Sequence, residues 1–204
     1  MCIGMAVALL ISAYRPERVF DWWLENALVL SFLAALALFY RQLPLSDLSY
    51  LLILLYLSLH EWGAHYKYSD VPLGEWMKPW LHTQRNHYDR VIHFSFGLLL
   101  SYPMQEVFLR VGRATEGWRY YLPVQATLAL SAVYEMMEAG VASVVSPQRG
   151  EEFVGMQGDI FDSQKDMFMA TTGAIVAMVI VYAVRKRRAT STVKARAQYA
   201  TSGD

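Results

Sequence analysis

The sequence has a single cysteine, Cys2, so neither an intrachain disulfide nor a cysteine-built zinc site can form. It has no excess of either charge: 18 Lys and Arg balance 18 Asp and Glu, which leaves no electrostatic footprint for nucleic acid. No internal repeat, heptad or low-complexity tract runs through it. Its hydrophobic stretches, in turn, are poor in charge. Of the 204 residues, 55% are hydrophobic. They gather in long blocks rather than interleaving with charge, the pattern of a membrane protein.

Six blocks are long or apolar enough to be considered as spans. They run near Met1 to Tyr14, Trp22 to Tyr40, Leu48 to Tyr66, Arg90 to Leu109, Tyr121 to Val145 and Asp166 to Val184. The first falls short of the ~20 residues that a full crossing needs. Its segment MCIGMAVALLISAY lacks a basic start and a small-residue cleavage site, so it reads as a retained span and not a signal peptide. The expected fold is therefore all-α, a polytopic membrane bundle of five or six transmembrane helices. Residues 1–184 would form one transmembrane domain and 185–204 a basic polar tail. Two connections are long, Lys67 to Asp89 and Ser146 to Lys165, and the tail is expected to lack fixed structure beyond its first few residues.

Lys and Arg in short flanks set orientation. Arg185, Lys186, Arg187 and Arg188 follow the last block, and Arg110, Arg113 and Arg119 join the fourth to the fifth. Both groups point to the cytoplasm, which places the carboxy terminus inside the cell. The loop carrying Lys67, Lys78, Arg85 and Arg90 then falls outside, against the rule, so its basic residues are read as having a local role.

The ionisable residues collect toward that outer face. His60, Glu61 and His65 close the third span, Asp89 and His93 open the fourth, Glu135 and Glu138 lie in the second half of the fifth, and Asp159, Asp162 and Asp166 lead into the sixth. Pairs three or four apart share a helix face, which covers Glu61 with His65, Asp89 with His93, and Glu135 with Glu138. His60 points about 140° from His65 and serves a different neighbour. The three aspartates of GDIFDSQKDM would lie within about 60° of one another on a helix. Such like-charge neighbours repel. A charge deep in a span costs roughly 2.5–3.5 kcal/mol or more, so it faces protein or a wet cavity.

Carboxylates and imidazoles from several helices are the donor set that zinc, manganese or iron accepts, and helix bundles build such sites from inward-facing Glu and His. Asp89, His93, Asp159, Asp162, Asp166, His60, Glu61 and His65 are the candidate ligands, Glu135 or Glu138 the candidate general base, and Arg85 and Arg90 the candidate binders of an anionic headgroup. Plainer roles stand beside these. Helix capping accounts for one or two of the aspartates, Glu135 and Glu138 would pair with Arg90, Arg149 or Lys165, and Glu61 with His65 would form a local pair. The tryptophans and tyrosines at this level, Trp62, Trp76 and Trp80 among them, read as an interfacial belt. HEWGAH is not the zinc-protease H-E-x-x-H, because its second histidine falls one residue late.

The string HEWGAHYKYSDVP, followed by RNHYDRVIHFSFGLL, YEMMEAG and GMQGDIFDSQKDMFMATTGA, resembles the YjdF family of bacterial inner-membrane proteins from about Val19 to Val184. More distantly, the Asp89/His93 opening with an acidic fifth helix is similar to VanZ-like proteins, a group associated with teicoplanin resistance. The resemblance implies a small polytopic bundle in the inner membrane and implies no particular chemistry. The residues themselves lead to two expectations. One is a metal-dependent membrane hydrolase acting on a lipid or envelope substrate. The other is a non-catalytic module that binds a small molecule in the membrane or confers resistance. A transporter is disfavoured, because charge reaches one face only and no inverted repeat is visible. If the orientation is right, a carboxy-terminal fluorescent reporter that folds only in the cytoplasm will be active. An active periplasmic phosphatase fused at Thr192 would reverse it.

Overall fold

Each apolar block becomes a helix, because a chain in lipid can satisfy its backbone polar groups only within itself. The computed structural model describes residues 2–146, 150, 153–154 and 156–201. Helix α1 spans Cys2–Ala13, α2 Val19–Phe39, α3 Asp47–Tyr66, α4 Pro72–Leu81, α5 Tyr88–Arg110, α6 Trp118–Val144 and α7 Asp162–Thr201, with a 3-10 turn at Tyr68–Asp70. No strand occurs among the described residues, and the fold is an all-α bundle. By length and hydropathy two helices qualify alone as membrane spans, Val19–Phe39 and Asp162–Ser191. The other long helices, α3, α5 and α6, carry the polar residues.

Two stretches differ from the sequence reading. The Lys67–Asp89 connection holds a helix of its own, α4, started by Pro72 in its first turn, where a missing N–H costs nothing. It ends at His82, which takes the left-handed conformation at φ 50°. The proline and tryptophan content of this stretch reads as turns, and tertiary packing overrides that. The basic tail, expected to be unstructured, continues α7 to Thr201. Arg, Lys, Ala and Gln are good helix formers, and extending a helix that is already nucleated adds one hydrogen bond per residue fixed.

Helix α5 lies at the centre, against α3, α6 and α7. Its contact with α7 is the closest in the molecule to backbone on backbone. A Cβ added to Gly97 would lie 1.8 Å from the Ala170 carbonyl oxygen, and one added to Gly173 would lie 2.1 Å from that of Phe94. Ala170 and Ala174 complete this seam, both fully buried. Small residues let helices in lipid approach until main chains touch, where dispersion and weak polar contacts replace the missing hydrophobic drive. A second core forms where Met5 of α1, Val29 of α2, Ile53 and Leu57 of α3, and Leu100 of α5 meet.

At the polar end Asn86 acts as a knot. Its side-chain amide donates to the Val71 carbonyl (3.0 Å) and to the Glu75 carboxylate (2.8 Å), while its Oδ1 accepts from the Tyr88 N–H (3.0 Å). Its backbone N–H donates to Gln157 Oε1 at 2.9 Å, and its carbonyl accepts from Gln157 Nε2 at 3.2 Å. The start of α4, the start of α5 and the approach to α7 are thus joined through one buried residue.

The seam yields a direct test. Gly97→Ala and Gly173→Ala should each cost about 1–3 kcal/mol, the usual penalty of overpacking, and lower the midpoint of thermal unfolding in detergent. Gly140→Ala, whose added Cβ meets nothing within 4 Å, should be neutral or slightly stabilising.

Candidate functional site

The polar groups converge because the helices alternate in direction. The carboxy-terminal ends of α1, α3 and α6 meet the amino-terminal ends of α2, α5 and α7 at one end of the bundle. There the aspartates that lead into α7 meet Arg90. One guanidinium nitrogen of Arg90 lies 3.3 Å from Asp159 Oδ2 and also pairs with Asp162 Oδ1; the other pairs with Asp166 Oδ2 and donates to the Asp162 carbonyl at 3.3 Å. Arg85 donates to Asp162 Oδ1 and to the Met156 carbonyl, each at 2.5 Å, and Lys165 reaches Asp159 at 2.7 Å. Asp162 and Asp166 occupy one face at the start of α7. Asp159 precedes the helix and accepts from the Phe161 N–H at 3.2 Å. The hydrogen bond from Lys165 chiefly holds the Asp159 carboxyl below its ordinary pKa. Burial, seconded by Arg85 and Arg90, lowers the imidazole of His87.

Deeper in, His93 is the meeting point. Its Nε2 lies 3.6 Å from Asp89 Oδ1 and 3.4 Å from Glu135 Oε1, and its Nδ1 lies 3.4 Å from the Ser131 hydroxyl. Asp89, His93 and Asp166 can each offer a ligand atom such that all three lie within 4.8 Å of one another. The seam below makes this possible, since Gly97 and Ala170 lie one turn beneath His93 and Asp166 on their respective helices. Two buried oxygens here have no hydrogen-bond partner, Asp166 Oδ1 and Glu135 Oε1. The charges are uneven as well. Arg85, Arg90 and Lys165 pair with the three aspartates before and within α7, whereas Asp89 and Glu135 face His93, and Glu138 borders the small cavity with Lys67.

The remaining candidates fall into two other groups. His60 Nδ1 is hydrogen-bonded to the Tyr68 hydroxyl at 2.7 Å, and its Nε2 lies 3.7 Å from Glu25. Glu61 accepts a hydrogen bond from the Ser12 hydroxyl, while His65 Nδ1 donates to the Ser12 carbonyl at 3.0 Å. Glu61 and His65 therefore fasten α1 to α3, away from His93. Arg149 lies outside the described residues. Sequence reasoning passed over Glu25, a carboxylate one turn inside α2 and 6% exposed, and Tyr134, whose hydroxyl donates to both Glu25 oxygens at 3.1 and 2.9 Å. The signal was present: a lone acid inside the second apolar block.

Two cavities adjoin the cluster. One, of about 310 Å³, runs down α5 from Asp89 and His93 past Ile92, Phe96 and Leu100 to Met104, with Leu28, Phe32, Leu130 and Val133 on its far side. The other, about 20 Å³, lies between Asp21, Glu25, Lys67 and Glu138 and has room for about one water. Asp89 and Tyr68 border both.

A family described as "Predicted membrane protein (DUF2238)" matches residues 1–187. "Inner membrane protein YjdF" of Escherichia coli (strain K12) is 34% identical over 181 residues, which cover 88% of this chain and 86% of the relative. The chain belongs to this membrane-protein family. No solved structure matches it. Family membership makes it a membrane protein, and the residues of the cluster and the α5–α7 seam all fall within the matched region.

Arg90 carries the charge balance, and its removal should be severe. Arg90→Gln would leave Asp162 and Asp166 buried without their main counter-charge, at a cost of about 3–5 kcal/mol. Thermal unfolding of the detergent-solubilised protein should show that loss, with partial recovery in Arg90→Gln/Asp162→Asn. Asp159→Asn, at the rim, should change little.

Proposed function

We propose that this is a multi-pass inner-membrane protein whose polar end faces the periplasm, and that it hydrolyses an ester or phosphoester of a lipid or lipid-linked envelope molecule with a divalent cation held by Asp89, His93 and Asp166. The observation that carries this reading is the Asp89–His93–Asp166 triad, whose ligand atoms fall within 4.8 Å of one another, with Asp166 Oδ1 buried and without a hydrogen-bond partner. The excess of carboxylates over basic side chains favours bound positive charge. The donor set, two carboxylates and an imidazole, suits zinc, manganese or iron. The basic run Arg185–Arg188 at the opposite end of the bundle from the cluster supports the orientation.

In this reading Asp89, His93 and Asp166 would hold the cation, which would supply Lewis-acid polarisation of water and of the reacting bond. Glu135 Oε1, 3.4 Å from His93 Nε2, takes the proton of the attacking water. The water oxygen bonds to the carbonyl carbon or phosphorus, the bond to the leaving alkoxide breaks, and the proton passes from Glu135 to that alkoxide. The products are an alcohol and an acid, with one water consumed. The small cavity on one side of Asp89 would supply water and the large apolar one on the other would supply lipid.

A second reading has its own support. Arg90 already neutralises part of Asp166, so the same cup would serve as a metal-free binding or resistance module, the role that the VanZ likeness suggests. Elemental analysis separates the two. Protein purified from cells supplied with zinc, manganese and iron should carry about one ion per chain, and His93→Ala and Asp166→Asn should each lose it while Glu61→Gln keeps it. Absence of stoichiometric metal from the unmodified protein would overturn the hydrolase reading and leave the binding one.

A further inference from the structure

The long cavity is elongated and mostly apolar, with its charged and imidazole lining at one end. From Asp89 to Met104 it follows α5 for about 22 Å, at 1.5 Å per residue. That is most of the depth of a bilayer's hydrocarbon core, about 30 Å. Its 310 Å³ would hold a chain of roughly ten carbons, taking a methylene as about the 30 Å³ of a water molecule. Spread over that length, this volume averages about 14 Å² in cross-section, which leaves no room for two chains side by side. The polar lining, His60, Tyr68, Asp89, His93, Ser131 and Tyr134, sits at the polar end of the bundle; Tyr56 adds a phenol one turn below His60, beside Phe96, and the other described lining residues are apolar.

The side facing away from α5 is not sealed. Helices α2 and α6 form its two edges without packing closely on one another. Their edge residues are open to the surroundings: Leu28 is 36%, Leu130 50% and Val133 46% exposed. At the polar end the two helices are tied by the Tyr134–Glu25 hydrogen bonds, so the gap between them lies below that tie, at the depth of lipid tails. In an aqueous protein such a gap would be a hydrophobic liability. In a bilayer its surroundings are hydrocarbon.

We propose that this slot takes one linear hydrocarbon chain of a membrane lipid, admitted sideways from the bilayer between α2 and α6, with the headgroup end at Asp89 and His93. The chain lies alongside α5, and the Tyr134–Glu25 tie marks the level at which tail gives way to headgroup. The proposal deepens the hydrolase reading and rests on it for the headgroup end alone. An acyl chain and a methyl-branched polyprenyl chain share the chemistry the slot reads, a long apolar body of small cross-section.

The test uses the full chain in vesicles of phosphatidylethanolamine and phosphatidylglycerol. One arm contains phosphatidylglycerol with a photoactivatable diazirine midway along one acyl chain, and the other a polyprenyl phosphate with a diazirine in its chain. After irradiation, peptide mass spectrometry locates the label. Label on Leu57 and Leu100, which line the slot and are only 4% and 7% exposed, is the expected result, and the arm that gives it identifies the lipid class. Val133→Trp and Leu130→Trp place bulk at exposed edge positions, where folding is least at risk, and either should remove label from Leu57 and Leu100 while outward residues such as Met136 stay labelled. Label confined to outward residues in both arms overturns the proposal, as does interior label that both edge variants leave unchanged. Asp166→Asn protein stripped of metal should still label inside the slot, so failure of the cation site and failure of the lipid slot are read separately.

Discussion

The positions of the polar groups on α5 and α7 follow from the close approach of these two helices. At Gly97 and Gly173 no side chain stands between the two helices, and the backbone of each fills the space a Cβ would take on the other. A methyl group at either position would push the axes apart. His93 and Asp166 sit one turn above this contact, and Arg90 and Asp162 one turn above that again, so any widening opens the ligand triad and the ion pairs together. In lipid the seam cannot rely on the hydrophobic effect, which makes its steric fit the main source of its strength.

Above the seam the design is one of charge accounting. Three basic side chains answer three aspartates around the entrance to α7, and Arg90 touches all three of those acids. Buried ion pairs seldom gain much over an apolar core, yet breaking one is costly because a charge is left behind. The cluster is therefore better understood as fixing geometry than as adding stability. It holds Asp166 with one oxygen engaged and the other unpartnered, next to a histidine already oriented by Asp89, Glu135 and Ser131.

The helical blocks and the shared depth of the acids and histidines were legible in the sequence, since hydropathy and helical spacing report both directly. The positions of Asp89, His93 and Glu135 on facing helices could be anticipated from those spacings alone. The helix α4 was passed over although its ten residues are strongly amphipathic at helical spacing, because Pro72, Pro79 and the tryptophans read as turns. Nor was the division of His60, Glu61 and His65. Side chains on successive faces of α3 go to different neighbours, two toward α1 and one toward α2, and only the arrangement of those helices decides which. The three aspartates, taken alone, called for a cation, basic partners or a metal; the structure gives them the basic partners Arg90, Arg85 and Lys165, whose pairing the sequence did not specify.

The Asn86 knot has a consequence for how the molecule can move. Because α4 and the start of α5 bond to the side chain of Asn86, and the approach to α7 bonds to its backbone, one fully buried residue ties them into a single cap. Gly74 passes so close to that side chain that any larger residue there would strike it. A rigid lid of this kind cannot hinge to admit a bulky solute from water. Breathing motions are left to α2 and α6, which are joined by a single tyrosine and an acid. The protein would then sample the two-dimensional fluid around it far more readily than the aqueous phase above it, and molecules dissolved in water would reach its interior slowly.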